Sequence, residues 1–502
     1  MFAMVRYGWR LILMSLTAAA VGTPVVGRGA DCDSIECGDA VDCGDKVDCG
    51  TAAGAKAAAK PNPCATSHKG LFYANDFSYL KDPDYCGHCL GDSLKLMPVA
   101  GGDLGSLDLG GQLRTRYHHE RGMGQDVAGP GVNRFQATDH DIFLTRLRLY
   151  SNWKMSDSLR VYCEGIVADV TDDNHTYLPR IIDRNYDFLN LFADVGLTDS
   201  LTARVGRQEL LYGAQRLISP LDWANTRRTF DGVRLLHKGE KLSTDVFYTY
   251  FVPVIPNRLD EPDYDQAFYG IYNTYTVKEG VTVDFYYIGY DNQNTGGGPG
   301  QRDFSLHTCG ARFNGPLTDN WLFEMEGGPQ FGRQSGLGVN QEAMFGTCGV
   351  GRKLGDVLPW SPTLWCYYDY ASGNAGGGDF NRFNDLFPLG HKYLGFIDAA
   401  LRQNIESPNV LLTASPTSKL TLLMWYWHIM ANQAGDIIPS IGGTPPQSTT
   451  SKDFGDELDF IGTYAIGPRS NVLLGYSHFW RGNKILAPVD ADFIYTQWEV
   501  NF

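Results

Sequence analysis

The stretch 143-FLTRLRLY-150 decides the class of fold. Phe143, Leu147 and Leu149 fall on one parity and Arg146 and Arg148 on the other, the period of two that belongs to an extended strand and not to a helix. The same division recurs in 109-LGGQLRTRY-117, where Leu109, Leu113 and Tyr117 oppose Gln112, Arg114 and Arg116. It recurs again in 281-VTVDFYYIGY-290, where Val281, Val283, Phe285 and Tyr287 oppose Thr282, Asp284 and Tyr286. A wall between lipid and water needs this chemistry. An arginine on the mid-bilayer lipid face costs roughly 2–4 kcal/mol, so the arginine parity is assigned to the inside of a barrel.

Outward from these strands, alternation is continuous from about residue 104 to the end of the chain. It divides into eighteen segments, beginning near 105, 142, 158, 187, 200, 229, 241, 266, 281, 304, 320, 341, 362, 408, 418, 455, 470 and 491. Short turns such as KMSDS, LTDS, HKGEK, VKEG, SPTS and GPRS alternate with long gaps at 118–141, 170–186, 209–228, 253–265, 292–303, 372–407 and 431–454. A soluble sandwich has no reason to segregate loop length in this way, whereas an outer-membrane barrel has short periplasmic turns and long external loops. The expected fold is an all-β, transmembrane, antiparallel up-and-down β-barrel of about 18 strands over residues 104–502. Its last strand, 493-FIYTQWEVNF-502, keeps its period to Phe502 and is expected to pair with the first strand, leaving no free edge.

Composition agrees. Mean hydropathy is −0.24, and beyond residue 30 no apolar run approaches the length of a membrane helix. Aromatic residues make up 13% of the chain and glycines number 58, as suits aromatic-rich strands joined by turns. A formal charge of −15 argues against a nucleic-acid partner. Residues 1–30 place Arg6 and Arg10 before the apolar run Leu11 to Val21 and then small residues, the order of a secretory signal peptide.

Residues 31–103 form a Cys-rich, low-complexity stretch. It holds seven of the eleven cysteines and the repeat CGDAVDCGDKVDCG, with too little apolar surface for a core. A disordered or disulfide-tied periplasmic segment is the favoured reading over metal binding by its Cys and Asp side chains. The 86-CGHC-89 spacing sits in loop composition, which favours a local disulfide over redox catalysis, and Leu90 excludes a c-type haem site.

Two stretches resemble the alginate-export family of outer-membrane barrels. They are 205-VGRQELLYGAQRLISPLDWANTRRTFDGVRLL-236 and 372-SGNAGGGDFNRFNDLFPLGHKYLGFIDAALRQN-404, the second with an F-x-x-L-F-P-x-G-H-x-Y-x-G-x-x-D spacing. The resemblance implies an eighteen-stranded barrel with an electropositive interior through which an anionic polyuronate passes without energy input at the pore. It carries Arg207, Gln208, Arg216, Arg228 and Asp231 over as site positions, with Arg227 as a substitute for its neighbour. Strict alternation puts Arg204 and Gln208 on one face and Arg207 on the other, so Arg207 needs a bulge or a rim position to face inward. The arginines of 216–228 are expected in a loop folded inward as a constriction.

The candidate pore-lining set is therefore Arg114, Arg116, Arg146, Arg148, Arg204, Arg207, Gln208, Arg216, Arg227, Arg228, Asp231 and Arg234. Arginine suits such work because its planar fork matches carboxylates, and several moderate contacts let a polymer be handed along. Asp231, Glu164 and Glu324 are candidates to position these arginines. The expected cargo is an anionic polysaccharide or a small anionic solute, in outer-membrane lipid. Phe502 resembles the terminal signal read by the barrel-assembly machinery. His118 to Glu120 and 139-DHD-141 are read as an exposed polar loop over a divalent-cation site, and no catalytic motif or cofactor is implied. The alternative is a structural or adhesive envelope barrel without an open pore.

Overall fold

The computed structural model describes residues 62–85, 87–124, 134–171, 185–256, 258–295 and 303–502. The signal-like residues 1–30, the C-G-D-x-V-D repeats and Cys86 lie outside the described residues.

Eighteen antiparallel strands make the barrel: β1 (Ser106–Arg121), β2 (Asp139–Lys154), β3 (Leu159–Thr171), β4 (Asn185–Thr198), β5 (Leu201–Gln208), β6 (Thr229–Lys238), β7 (Leu242–Val252), β8 (Gln266–Lys278) and β9 (Val281–Asn292), followed by β10 (Phe304–Pro316), β11 (Trp321–Gln334), β12 (Val339–Lys353), β13 (Thr363–Ala371), β14 (Ile405–Ala414), β15 (Leu420–Ala431), β16 (Asp453–Gly467), β17 (Ser470–Arg481) and β18 (Ala491–Asn501). Each pairs with its sequence neighbours, and β18 returns to β1 from Asp492↔Arg121 to Asn501↔Gln112. Closure gives every strand two hydrogen-bonded partners, the condition for a sheet in hydrocarbon. Every strand begins within three residues of its expected start.

The turns explain how the register is kept. Between β8 and β9 only Glu279 and Gly280 intervene. Gly280 takes φ +75°, a left-handed value that a side chain disfavours, and the ladder shifts register next to it. The loop asymmetry has two exceptions. Ser335–Leu337 closes β11 to β12 with a single turn at the long-loop end, and the nine residues 354–362 join β12 to β13 at the other.

Side chains divide as the parity requires. Val205, Val233, Phe285, Phe313, Met344 and Leu474 are exposed on the outward face. Trp321 and Trp498 stand near the short-turn end of that face and Tyr117, Tyr186 and Trp480 near the long-loop end, the arrangement of interfacial aromatic girdles. The hydrophobic core lies within the cylinder. There the loop residues Leu217, Ile218, Phe383, Phe387, Leu394 and Ile397 pack on inward-facing strand residues such as Phe230, Phe268, Trp425 and Phe493.

Of the two readings of the Cys-rich segment, the disordered one gives way from Asn62 onward and the disulfide-tied one holds. The described residues between 62 and 102 form a short helix (Pro63–Thr66), several 3-10 turns and a two-residue strand (Met97–Pro98) paired with β1, and they fold into the short-turn mouth of the barrel. Phe72 and Tyr73 are buried against Tyr150, Tyr162 and Phe192 on the inner wall of β2, β3 and β4. Cys89 bonds to Cys64, 25 residues away, in place of the expected local bridge.

Candidate functional site

The inward face of β1 and β2 sets arginines opposite one another. Arg114 pairs in register with Arg146 and Gln112 with Arg148, and across β5 and β6 Arg204 pairs with Arg234. Like charges directly opposite are destabilising unless something neutralises them. The loop 209–228 does so here by folding into the barrel. Arg114 donates to the carbonyl oxygens of Asp222 and Trp223 at 2.8 and 3.3 Å, and Arg116 to that of Trp223 at 2.9 Å, its guanidinium stacked 3.6 Å over the Trp223 ring. Arg146 bonds to the Asp222 carbonyl at 3.1 Å and pairs with its carboxylate at 3.0 Å. Arg227, from the loop itself, pairs with the same carboxylate and with Glu209 at 2.5 Å.

Glu209 is tied to the wall in turn. Asn190 donates to both Glu209 and Glu164, at 2.9 and 3.0 Å, and Glu164 pairs with Arg148 at 2.6 Å. Five arginines thus surround three carboxylates. All of these side chains are buried except that of Asp222, which keeps 55% of its side-chain surface accessible.

The loop then crosses the interior. Arg216 reaches the facing wall, where it meets Glu324 of β11 at 2.8 Å and Glu326 at 3.1 Å, while Arg312 shares the same Glu324 oxygen at 2.9 Å. A second inward loop, 372–404, lies along the first. Ser219 donates to the Phe387 carbonyl and Phe387 to that of Leu217, both at 2.9 Å, and Leu389 donates to that of Gln215 at 2.9 Å. Arg228 donates to the carbonyls of Ser219 and Pro388 and lies 5.3 Å over the Phe387 ring. The two stretches that carry the family resemblance are therefore the two loops that meet inside the barrel.

Of the expected residues, Arg114, Arg116, Arg146, Arg148 and Arg227 converge on one cluster. Arg204 stands apart, in a bidentate pair with Asp194 at 2.7 and 3.0 Å, and Arg234 pairs with Asp245, close to the buried Gln208. Arg207 and Asp231 do not join them. The pairing register runs unshifted from Val205 to Arg207, so Arg207 shares its parity with the exposed Val205 and sits on the outward face at the long-loop rim, held by Asp231 at 2.7 Å and Asp187 at 2.6 Å. The polar loop expected at 118–120 and 139–141 is instead strand. His118 and Glu120 are buried inward, and His119 faces out toward Asp139 and Asp141, so these groups do not converge.

Asp222, Glu209 and Trp223 escaped the sequence reading although they lie in the recognised stretch, because a loop has no periodicity to assign direction. Arg160 of β3, which also pairs with Asp194, was legible by parity, since it shares a face with Glu164, whereas Asp194 shares its face with Asn190 and with no arginine or glutamate. The N-terminal segment was expected to lie apart from the barrel, yet it touches the site. Arg227 donates to the Gly70 carbonyl at 3.2 Å, Tyr73 donates to the Glu209 carbonyl at 2.9 Å, and the Phe72 and Tyr73 rings lie 3.9 and 4.5 Å from the Arg148 and Arg204 guanidiniums. At its base Asp92 pairs with Arg469 at 3.0 Å, and Lys95 donates to Tyr150 at 3.1 Å. Burial, with the nearby Arg469 and Lys95 charges, pushes the His68 imidazole down to about 3, and burial lowers Lys95 to about 8.

Residues 106–495 match the sequence model of the alginate export family. No curated protein matches the chain. Solved structures that resemble it are Pseudomonas aeruginosa OccK3, at 12% identity and a TM-score of 0.53 over 79% of this chain and 96% of that one, and OccK2 in complex with glucuronate, at 12% and 0.53 over 79% and 98%. The outer membrane protein OprD of the same organism aligns at 10% identity and 0.51 over 78% of this chain and 94% of its own. Identities this low establish a shared barrel fold alone, but the family match spans nearly every strand. The chain belongs to the alginate export family, as a barrel channel of the Gram-negative outer membrane.

Proposed function

We propose that the channel passes anionic saccharides, polyuronates above all, by passive diffusion along the inward arginines. The observation that carries this reading is the convergence of Arg114, Arg116, Arg146, Arg148 and Arg227 where the loop 209–228 narrows the barrel. Five guanidiniums against the carboxylates of Asp222, Glu209 and Glu164 leave a local excess of positive charge in a chain whose formal charge is −15. In a low-dielectric cylinder that excess draws carboxylates, and many moderate contacts allow both entry and release. The match to the alginate export family supports a uronic acid as the chemical unit. Arg216 and Arg228 anchor the constriction, while Arg207 and Asp231, on the outer face, are left out of the path. Arg204, Gln208 and Arg234 continue the inward polar track. No catalytic residue is assigned.

Two further assignments go with this reading. Residues 1–30 act as the export signal, and Phe502, whose backbone pairs with Gly111 at 2.9 and 3.0 Å, marks the chain for barrel assembly.

Planar-bilayer recording tests the proposal. An anion-selective current that oligouronates block supports it; a current indifferent to oligouronate and to the sign of the ion removes it. A barrel without conductance would favour the structural or adhesive reading, to which the filled periplasmic mouth lends weight.

A further inference from the structure

Residues 63–95 enter the barrel from the short-turn end and reach the constriction loop. What they offer the arginines there is chemically weak. Arg148 and Arg204 receive the faces of Phe72 and Tyr73, Arg227 the Gly70 carbonyl at 3.2 Å, and Arg160 the Tyr73 carbonyl at 2.9 Å. The carboxylates that fix these arginines, Glu164, Asp194 and Glu209, all belong to the wall or to the loop 209–228. So the segment covers four guanidiniums with neutral groups only. A charged acceptor bonds a guanidinium about twice as strongly as a neutral carbonyl does.

The outer end is built differently. Arg469, in the turn between β16 and β17, donates to Ser67 Oγ at 3.1 Å and to Tyr79 Oη at 2.7 Å, and it pairs with Asp92. Lys95 donates to Tyr150 and to the Phe502 carbonyl at 3.1 and 3.2 Å. The Cys64–Cys89 bond joins the two ends of the segment into one body. The base is latched by an ion pair while the tip rests on contacts that a carboxylate outcompetes.

We propose that residues 63–95 are a plug displaced by the anionic cargo: at rest they mask Arg148, Arg160, Arg204 and Arg227 from the periplasmic side, and an incoming carboxylate takes those arginines and lifts the Phe72–Tyr73 tip away. This inference rests on the channel reading above. The displacement requires no covalent step.

Single-channel conductance of the full chain tests it, in the wild type, in Arg469→Gln and in Phe72→Ser/Tyr73→Ser, each first shown to be a folded barrel by heat-modifiable electrophoretic mobility. A severalfold rise in open-state occupancy in both variants, measured without oligouronate, is the expected result. Equal, non-zero conductance in all three proteins overturns the plug and leaves the channel reading intact. No conductance in any of the folded proteins overturns both. If a variant does not assemble, proteolysis of the wild type in liposomes reads the same event. Cleavage at Lys69 and Lys81 accelerates with oligoglucuronate if the plug is displaced, and an unchanged rate at saturating oligoglucuronate overturns the proposal.

Discussion

Arg114 and Arg146 face each other across the β1–β2 ladder, and both donate to the same two carbonyl oxygens, those of Asp222 and Ala224, at 2.8 to 3.3 Å. The loop backbone thus holds two like charges side by side, while only Arg146 also pairs with the Asp222 carboxylate. That difference ranks the two residues. Arg146→Gln should weaken oligouronate block about tenfold, the ~1.4 kcal/mol expected for losing one charge-assisted contact, and shift the reversal potential toward cations. Arg114→Gln should do so less. Block and reversal potential that stay at wild-type values in Arg146→Gln would take the residue out of the conduction path.

Arg216 is the strut of the constriction. Arg216→Met leaves Glu326 without its ion pair and Glu324 with Arg312 alone, and breaking a buried pair costs roughly 3–5 kcal/mol. The temperature at which the barrel loses its compact electrophoretic form should fall, and adding Glu326→Gln should restore part of it. An unchanged transition would show that the loop 209–228 is held without this contact.

How far all this was legible follows from where period two applies. From FLTRLRLY outward each strand start was within three residues, and Arg114, Arg116, Arg146 and Arg148 fall on the buried parity opposite the exposed apolar one, because one residue of slip would turn the whole apolar set to the wrong side. The same rule had set Arg207 on the outward parity, and the unshifted register through Gly206 keeps it there against the resemblance. Loops carry no such rule. Asp222 and Glu209 define the site as much as any arginine, yet nothing in 209–228 told which side chains point inward. In 71-LFYANDFSYL-80 four aromatics in ten residues were the trace of burial, hidden by the low complexity of the sequence upstream.

The lipid face gives a check on the barrel itself. Val233, near the middle of β6 and exposed outward, neighbours the inward Arg234. Val233→Arg should destabilise the folded barrel by roughly 2–4 kcal/mol in a bilayer, read as a shift in the urea midpoint of refolding into liposomes. No shift would mean that this face is not in hydrocarbon.

The Cys64–Cys89 bond closes a loop with a sequence separation of 25, for which chain entropy predicts about 3–4 kcal/mol of stabilisation of the segment. Cys64→Ser/Cys89→Ser should therefore raise hydrogen exchange across 63–95 by two orders of magnitude or more while leaving the barrel strands unchanged. Protection equal to the wild type would show that packing alone seats the segment.

His68 makes the same segment sensitive to acid. Its ring lies 5.5 Å from Phe77 and 6.1 Å from Phe72, edge-on to both, and burial together with the Arg469 and Lys95 charges holds it near 3, against an ordinary value of 6.5, with Asp92 opposing them. The seated segment keeps the imidazole neutral and the released one lets it protonate, so the released state binds the extra proton. Stability of seating is then complete above pH 6.5 and is lost as pH falls from 6.5 toward 3, by up to about 1.4 kcal/mol per unit. Hydrogen exchange over 63–95, corrected for intrinsic rates, should rise by nearly tenfold between pH 6 and pH 5. In His68→Phe, which retains the ring contacts without the titration, that rise should vanish; if it persists, another group carries the acid response and the imidazole is a packing residue only.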